Sequence, residues 1–284
     1  MVEGGWSWDP SLYAGSAAYY ARGGRVPYPA GVAEALAAAA GLDGSGRLLD
    51  VGCGPGSLTL LLAPLFAEVT GIDADPHMLT EAARLAAGTG VTSVTWRQLR
   101  GEDLPADLGT YRMVTFAQSF HWMDRVRVAA AVRGMLVDGG TCVHVHATTH
   151  AGSATGRALA HPQPPREAIA GLVRRYLGPV RRAGQGALSG GTPGGEDAVY
   201  RAAGFRGPER HTVPGRVVTR TADDVVASVF SLSSSTPRLF GDRFAAFETE
   251  LRQLLREASP ARTFSEYHRE IAVDLWRVGT KTTR

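Results

Sequence analysis

The chain is short of the features that mark several protein classes. It has one lysine, Lys281, so nearly all of its 30 basic residues are arginines, and 27 acidic residues leave a net charge of only +3. The arginines are scattered. No clustered basic stripe with interleaved aromatics is present to track a phosphate backbone, so no nucleic-acid partner is expected. No apolar run approaches the ~18 residues that span a bilayer. Residues 1–10 lack the basic and apolar regions of a signal peptide, so no membrane partner and a cytoplasmic location are expected. Cysteine is nearly absent: Cys53 and Cys142 are the only two. Neither has CxxC or Cys/His ligand spacing, which excludes a disulfide framework and a cysteine-based zinc site, and both are read as structural thiols.

What remains is an ordinary globular composition, 44% hydrophobic and 20% charged over 284 residues, enough for one or two domains. Aromatics and glycines crowd residues 1–28, and an alanine-rich helix follows over 32–40, closed by Gly41. Strands are then expected at 47–51, 68–72, 91–97, 111–117 and 141–147. Helices are expected between them at 57–66, 76–87 and 124–136, with Pro64 ending the first early and Pro76 opening the second. Such alternation means βαβ units, hence an α/β fold with a parallel sheet covered by helices. The pattern stops near residue 148. A glycine- and proline-rich stretch surrounds one helix, 166–177. Beyond it come a helix at 196–203, a strand at 210–219 interrupted by Pro214-Gly215, helices at 222–231 and 243–257, and a last strand at 270–277. The expected division is 1–46 as an N-terminal lid or helical segment, 47–147 as the ligand-binding core, 148–194 as a cap insertion, and 195–284 as the completion of the sheet.

Asp50-Val51-Gly52-Cys53-Gly54-Pro55-Gly56 falls between an expected strand and helix. Glycines there let the chain turn sharply and let a ligand approach the backbone. The helix starting near Ser57 directs its free N–H groups and positive end at that ligand. Asp73 ends the next strand, where a carboxylate accepts hydrogen bonds from two ribose hydroxyls. A dinucleotide fingerprint needs a third glycine three residues after the second. Here that position is Ser57, which argues against NAD and FAD. S-adenosylmethionine has no pyrophosphate to cradle and fits the turn.

The motifs after this point occur in a familiar order. Leu48 to Gly56 is followed by Thr70-Gly71-Ile72-Asp73-Ala74-Asp75 with Met78, then Glu102-Asp103-Leu104-Pro105, then Thr115-Phe116-Ala117-Gln118-Ser119-Phe120-His121-Trp122, then Asp138-Gly139-Gly140-Thr141. Together they resemble class I S-adenosylmethionine-dependent methyltransferases of the type 11 group. Arg25-Val26-Pro27-Tyr28-Pro29 resembles a segment of trans-aconitate-methyltransferase-like members. The resemblance implies a Rossmann-like, doubly wound, seven-stranded and mostly parallel sheet whose last strand is antiparallel. It implies S-adenosylmethionine as cofactor and a small-molecule acceptor, with O-methylation ahead of N- or C-methylation, in a monomer or homodimer. Carried over by position, Asp50, Gly52, Gly54 and Gly56 border the methionine moiety. Asp73 holds ribose, Ala74 and Met78 flank adenine, Glu102 and Asp103 approach its edge, and Gln118 lies under the methionine tail. Arg25 reaches the cofactor carboxylate, although Gly24 and Val26 stand where relatives carry Arg and Pro. Arg100 replaces a usual aspartate, which moves the adenine contact toward Glu102.

Methyl transfer to a hydroxyl is helped by a base. His121, just past the fourth strand at the ligand-binding edge, is the first candidate, and His150 is the second. His144 and His146 share one strand face, but no carboxylate is near in sequence, so no metal is expected. Tyr19, Tyr20 and Trp8 form a candidate lid. Arg174, Arg175, Arg181 and Arg182 form a candidate reader of an acidic substrate, weighed against an ordinary solvated face.

Overall fold

The computed structural model describes residues 9, 11–154, 156–183, 186–188 and 194–279, without the side chains of 181–183 and 186–188. It divides into two units: residues 28–147, 192–213 and 270–284 form one, and 1–27, 148–191 and 214–269 the other. The first, the core unit, gathers the expected 47–147 segment with parts of the chain's end. The second draws in residues 214–269, which had been grouped with the sheet.

The strands of the core unit are β1 (Arg47–Val51), β2 (Glu68–Asp73), β3 (Val94–Gln98), β4 (Tyr111–Ala117), β5 (Leu136–His146), β6 (Arg206–Val213) and β7 (Ile271–Arg277). They lie in the order β3-β2-β1-β4-β5-β7-β6. The first five run parallel, and β7 runs antiparallel to both of its neighbours. This is the expected Rossmann-like, seven-stranded sheet with its last strand reversed. Alternation along each strand divides the core between two faces. Leu48, Met113, Val143 and Val273 pack with Val32, Leu36, Leu58 and Leu62 of the helices Ala30–Ala40 and Ser57–Leu62. Leu49, Val114, Cys142 and Trp276 pack with Val128, Val132 and Tyr200 of the helices Arg125–Met135 and Glu196–Ala202. Both cysteines are free and buried.

Several boundaries shift for local reasons. The helix after β1 ends at Leu62 and tightens into a 3-10 turn over Ala63–Leu65, where Pro64 stands. The strand expected at 141–147 begins instead at Leu136, directly after a helix. Its glycine turn sits inside it as an irregularity, since Tyr111 pairs with Leu136 but Met113 with Thr141. The strand expected at 210–219 is two strands that part at Pro214-Gly215. β6 ends at Val213, and Arg216–Thr221 belongs to the second unit. There it pairs antiparallel with Thr263–His268, a strand with no sequence counterpart in the expected set.

In the second unit the helices Arg166–Leu177, Ala222–Phe230 and Phe244–Ala258 enclose a core containing Leu172, Phe230, Phe247, Leu251 and Phe264. A charged cluster lies beside it. Glu266, 3% exposed, accepts from Arg166 Nη2 at 2.7 Å and Arg220 Nη1 at 3.3 Å. Arg220, also 3% exposed, donates further to the carbonyls of Gly23, Asp224 and His150. One side chain thus ties the N-terminal segment, the segment after residue 147 and the strand pair.

Candidate active site

The glycine turn leaves the carboxyl end of β1 and is pinned to β2, because the Gly52 and Cys53 N–H groups both donate to Ile72 O, at 2.8 and 2.9 Å. Its glycines have different physical reasons. Gly52 has φ +68°, and a Cβ there would sit 2.5 Å from Ser119 Cβ. Gly56 lies under the Trp96 ring, 2.6 Å from a would-be Cβ. Gly54, at φ +54°, would direct a Cβ into open space, with nothing within 4 Å. A ligand can therefore approach the main chain at Gly54. Asp50 does not reach that surface. It is 1% exposed, and its carboxylate accepts from Thr59 Oγ1 at 2.6 Å and Thr115 Oγ1 at 2.8 Å. Burial raises its pKa against those two bonds. Asp50 thereby joins β1, the following helix and β4.

Asp73 stands beside the open glycine. Its Oδ2 accepts the Gly54 N–H at 2.8 Å and its Oδ1 the Asp75 N–H at 2.9 Å. Burial pushes its pKa up to about 6 in spite of these bonds. Each carboxylate oxygen keeps a lone pair for a further donor. Asp75 caps the helix Pro76–Thr89 by accepting from the His77 N–H. This fixes the segment that carries Ala74, half-buried, and Met78, buried.

Glu102 is 3% exposed and accepts the Asp124 N–H at 2.8 Å, so its carboxylate anchors the start of the helix Arg125–Met135. Asp103 is exposed and pairs with Arg100 at 3.2 Å. Gln118 holds φ +60°, an uncommon conformation for a residue with a side chain, and donates to Val145 O at 3.3 Å. Ser119 Oγ donates to Val51 O at 2.6 Å. His121 packs against Trp122, centroids 4.5 Å apart. Burial first, and then Arg125, lower its pKa to about 4.

Asp50, Gly52, Gly54, Gly56, Asp73, Ala74, Met78, Glu102, Asp103, Gln118 and His121 all lie in the core unit, and contacts join Gly54 to Asp73 directly. Thr59, Thr115 and Ser119 were not among the expected site residues. Thr115 was within reach of a register argument, since it is the parallel partner of Asp50. Arg25 and His150 lie in the second unit. Arg25 donates to Ser231 Oγ and O and to Tyr20 Oη, with its guanidinium 4.3 Å from the Tyr20 ring centroid. The His150 carbonyl accepts from Arg220 and Arg166. Of the candidate lid, Tyr19 packs on Phe230 at 5.0 Å, and Trp8 lies outside the described residues. Of the candidate acid-reading arginines, Arg174 is exposed, Arg175 pairs with Glu250, and the side chains of Arg181 and Arg182 lie outside the described residues. Among the described residues no group of three or more His, Cys, Asp or Glu is placed to hold a metal ion.

Residues 48–140 match a family model described as a methyltransferase domain. An uncharacterized methyltransferase of Mycobacterium tuberculosis is 33% identical over 132 residues, 46% of this chain and 51% of that protein. A ubiquinone biosynthesis O-methyltransferase of Xanthomonas campestris is 38% identical over 108 residues, 37% of this chain and 44% of that protein. The chain thus spans about half the length of the curated relatives it matches. Among solved structures, the 4+2 cyclase SpnF matches with a TM-score of 0.51 at 18% identity, over 97% of this chain and 99% of that one. At that identity the likeness is one of fold.

Proposed function

We propose that the chain, whose residues 48–140 match a methyltransferase-domain model, is an S-adenosylmethionine-dependent methyltransferase that methylates an oxygen of a small-molecule acceptor. The observation that carries the reading is the pairing of Gly54 with Asp73. The open glycine admits a ligand to the main chain, and its N–H holds the neighbouring carboxylate with lone pairs to spare. A nucleoside with an amino-acid tail suits that pair. In this reading Asp73 takes the ribose hydroxyls, the turn at Gly52 and Gly54 borders the tail with Gln118 beside it, and Met78, Ala74 and Asp103 flank the base. Asp50 and Glu102 act from beneath by holding the turn and the helix start. Arg25 and His150 are left outside this set.

S-adenosylmethionine, when bound, supplies a methyl group already activated on a sulfonium. The protein's task is then alignment, and orientation alone can supply about 7–11 kcal/mol. His121, neutral at physiological pH, borders the acceptor in this reading. With a pKa near 4 it is a weak proton remover. The lack of a basic stripe supports a small acceptor over nucleic acid, and the O-methyltransferase named above supports oxygen as the atom methylated.

Calorimetric titration with adenosylhomocysteine and with NADH tests the cofactor. Binding of the first alone is expected, and binding of NADH alone overturns the reading. Release of adenosylhomocysteine with phenols, catechols and hydroxycarboxylic acids tests the reaction. Binding without release to any acceptor would leave a cofactor-binding protein that does not transfer methyl groups.

A further inference from the structure

A hydroxyl acceptor must lose a proton, and the core unit holds an arrangement suited to taking it outside the glycine turn. His146 ends β5, with its Nε2 3.0 Å from Oδ2 of Asp274 on β7. Asp274 is 1% exposed. Arg210 of β6 grips it from the other side, Nε to Oδ1 at 2.6 Å and Nη2 to Oδ2 at 2.5 Å. Strand register builds this row, because Asp274 pairs with His144 on one side and Arg210 on the other. Burial pushes the Asp274 carboxyl up, but Arg210 and His146 outweigh it and hold its pKa below the ordinary value. The carboxylate is therefore ionised. It accepts the His146 Nε2–H, so in the ring's uncharged form the lone pair lies on Nδ1, the way a buried carboxylate sets an imidazole tautomer.

The ring is held on its face as well. It stacks on His144 with centroids 4.3 Å apart and planes 5° from parallel. His144 is buried, its Nδ1 3.3 Å from Tyr200 Oη. Burial and then His146 lower the His144 pKa to about 3. The groups around His146 are thus Asp274, Arg210, His144, Tyr200 and, beyond His144, His121. His144 and His121 stay neutral, and Asp274 is the one anion in contact. The His146 side chain keeps 38% of its surface exposed, and its Nδ1 has no hydrogen-bond partner among the described residues.

The segment after β4 links this group to the glycine turn. Ser119 bonds Val51 O at the start of the turn. Gln118 bonds Val145 O, next to His146, and Phe120 meets the His144 ring edge-on at 5.8 Å. β1, β4 and β5 are successive neighbours in the sheet, so β1 and β5 lie about 10 Å apart sideways, and the register Asp50–Thr115–Val143 carries β5 beyond the end of β1 to His146.

We propose that His146 is the general base for the acceptor hydroxyl, with Asp274 and Arg210 as its positioning residues. The proposal rests on the methyltransferase reading. In the step, the hydroxyl proton passes to His146 Nδ1 and the oxygen's electron pair forms the bond to the methyl carbon. The carbon–sulfur bond breaks with its pair on sulfur, leaving the neutral thioether, and His146 releases its proton to solvent through its exposed edge.

One test needs no turnover. Nitrogen-15 NMR of the imidazoles at high pH is expected to show neutral His146 as the Nε2–H tautomer. The Nδ1–H tautomer overturns the proposal. In turnover with the acceptor panel above, His146→Gln is expected to lower kcat by about 10²–10⁴-fold, with acceptor KM and adenosylhomocysteine affinity changed less than threefold. Asp274→Asn is expected to move the acid limb of the kcat profile to lower pH, which a merely structural role would not do. Failure of the wild type to bind adenosylhomocysteine overturns the cofactor reading itself. Binding and transfer with kcat unchanged in His146→Gln overturns the base assignment alone, and transfer to no hydroxyl acceptor overturns it too.

Discussion

Ser119 donates its hydroxyl to the carbonyl of Val51 at 2.6 Å, and its Cβ occupies the space that a side chain on Gly52 would need, 2.5 Å away. One small residue therefore both ties β4 to β1 and forces glycine at the first turn position. Ser119→Ala leaves a buried carbonyl without that donor and is expected to cost about 1–3 kcal/mol in urea unfolding. Gly52→Ala adds a steric clash and an unfavourable φ, so it should be the less stable of the two. The reverse ranking would mean that the turn relaxes away from β4.

The cofactor carboxylate gives a pH signature. Asp73 has a pKa of about 6, so it is largely ionised at pH 7 and largely protonated at pH 5. If the ionised form receives the ribose hydroxyls, adenosylhomocysteine should bind about tenfold more weakly at pH 5 than at pH 7. Asp73→Asn should bind more weakly at pH 7 and show a flattened profile. A wild-type affinity that does not change with pH would remove Asp73 from the ribose contact.

The buried histidines predict how the fold meets acid. The His121 pKa is lowered to about 4 and that of His144 to about 3. The unfolded chain, with histidines near 6.5, therefore binds more protons below that value. Stability from this source is present above about pH 6.5 and is lost as pH falls toward the folded values. Asp73 acts in the opposite sense, because its raised pKa lets the folded chain take up a proton between about 6 and the ordinary aspartate value. His268, Glu266 and Asp274, whose pKa values are also lowered, act with the two histidines, and Asp50, whose pKa is raised, acts with Asp73, so urea midpoints should fall from pH 7 to pH 4.5. Each histidine contributes at most about 1.4 kcal/mol per pH unit. His144→Phe should reduce the slope, and an unchanged slope would show that His144 is not held neutral.

Glu266 carries the prediction for the second unit. Truncating it to alanine leaves Arg220 buried without its anion and frees the Gly152 N–H that also bonds it. Uncompensated buried charge costs about 3–5 kcal/mol. Urea unfolding of Glu266→Ala should register a loss of that size, while Arg175→Ala, an exposed partner of Glu250, should lose less than about 1 kcal/mol.

The parallel strands were readable from local signals, apolar runs such as 48–51 and 113–117 alternating with helices, while the largely polar β3 (Val94–Gln98) was read from its place in that alternation. The reverse of β7 entered only through the family resemblance. The split at Pro214-Gly215 was visible as a break, but nothing local says that the two sides part into different units. Thr263–His268 escaped because Thr263, Ser265, Glu266 and His268 are polar, and Glu266 is buried only through its arginine partners. The site shows the same divide. Asp50, Gly54 and Asp73 announce themselves by motif, whereas Asp274 stands beside His146 only because β7 inserts next to β5.

That insertion has a consequence for how the protein is made. β5 is paired on one side by β4, and its other side stays bare until Ile271–Arg277 has been synthesised. A nascent chain therefore carries an open sheet edge throughout the translation of everything between the two strands, and such edges recruit other chains. The pairing is also far apart in sequence, which slows folding. The His146–Asp274 contact is a product of that final closure, so a chain halted before β7 would hold its glycine turn and lack this pair.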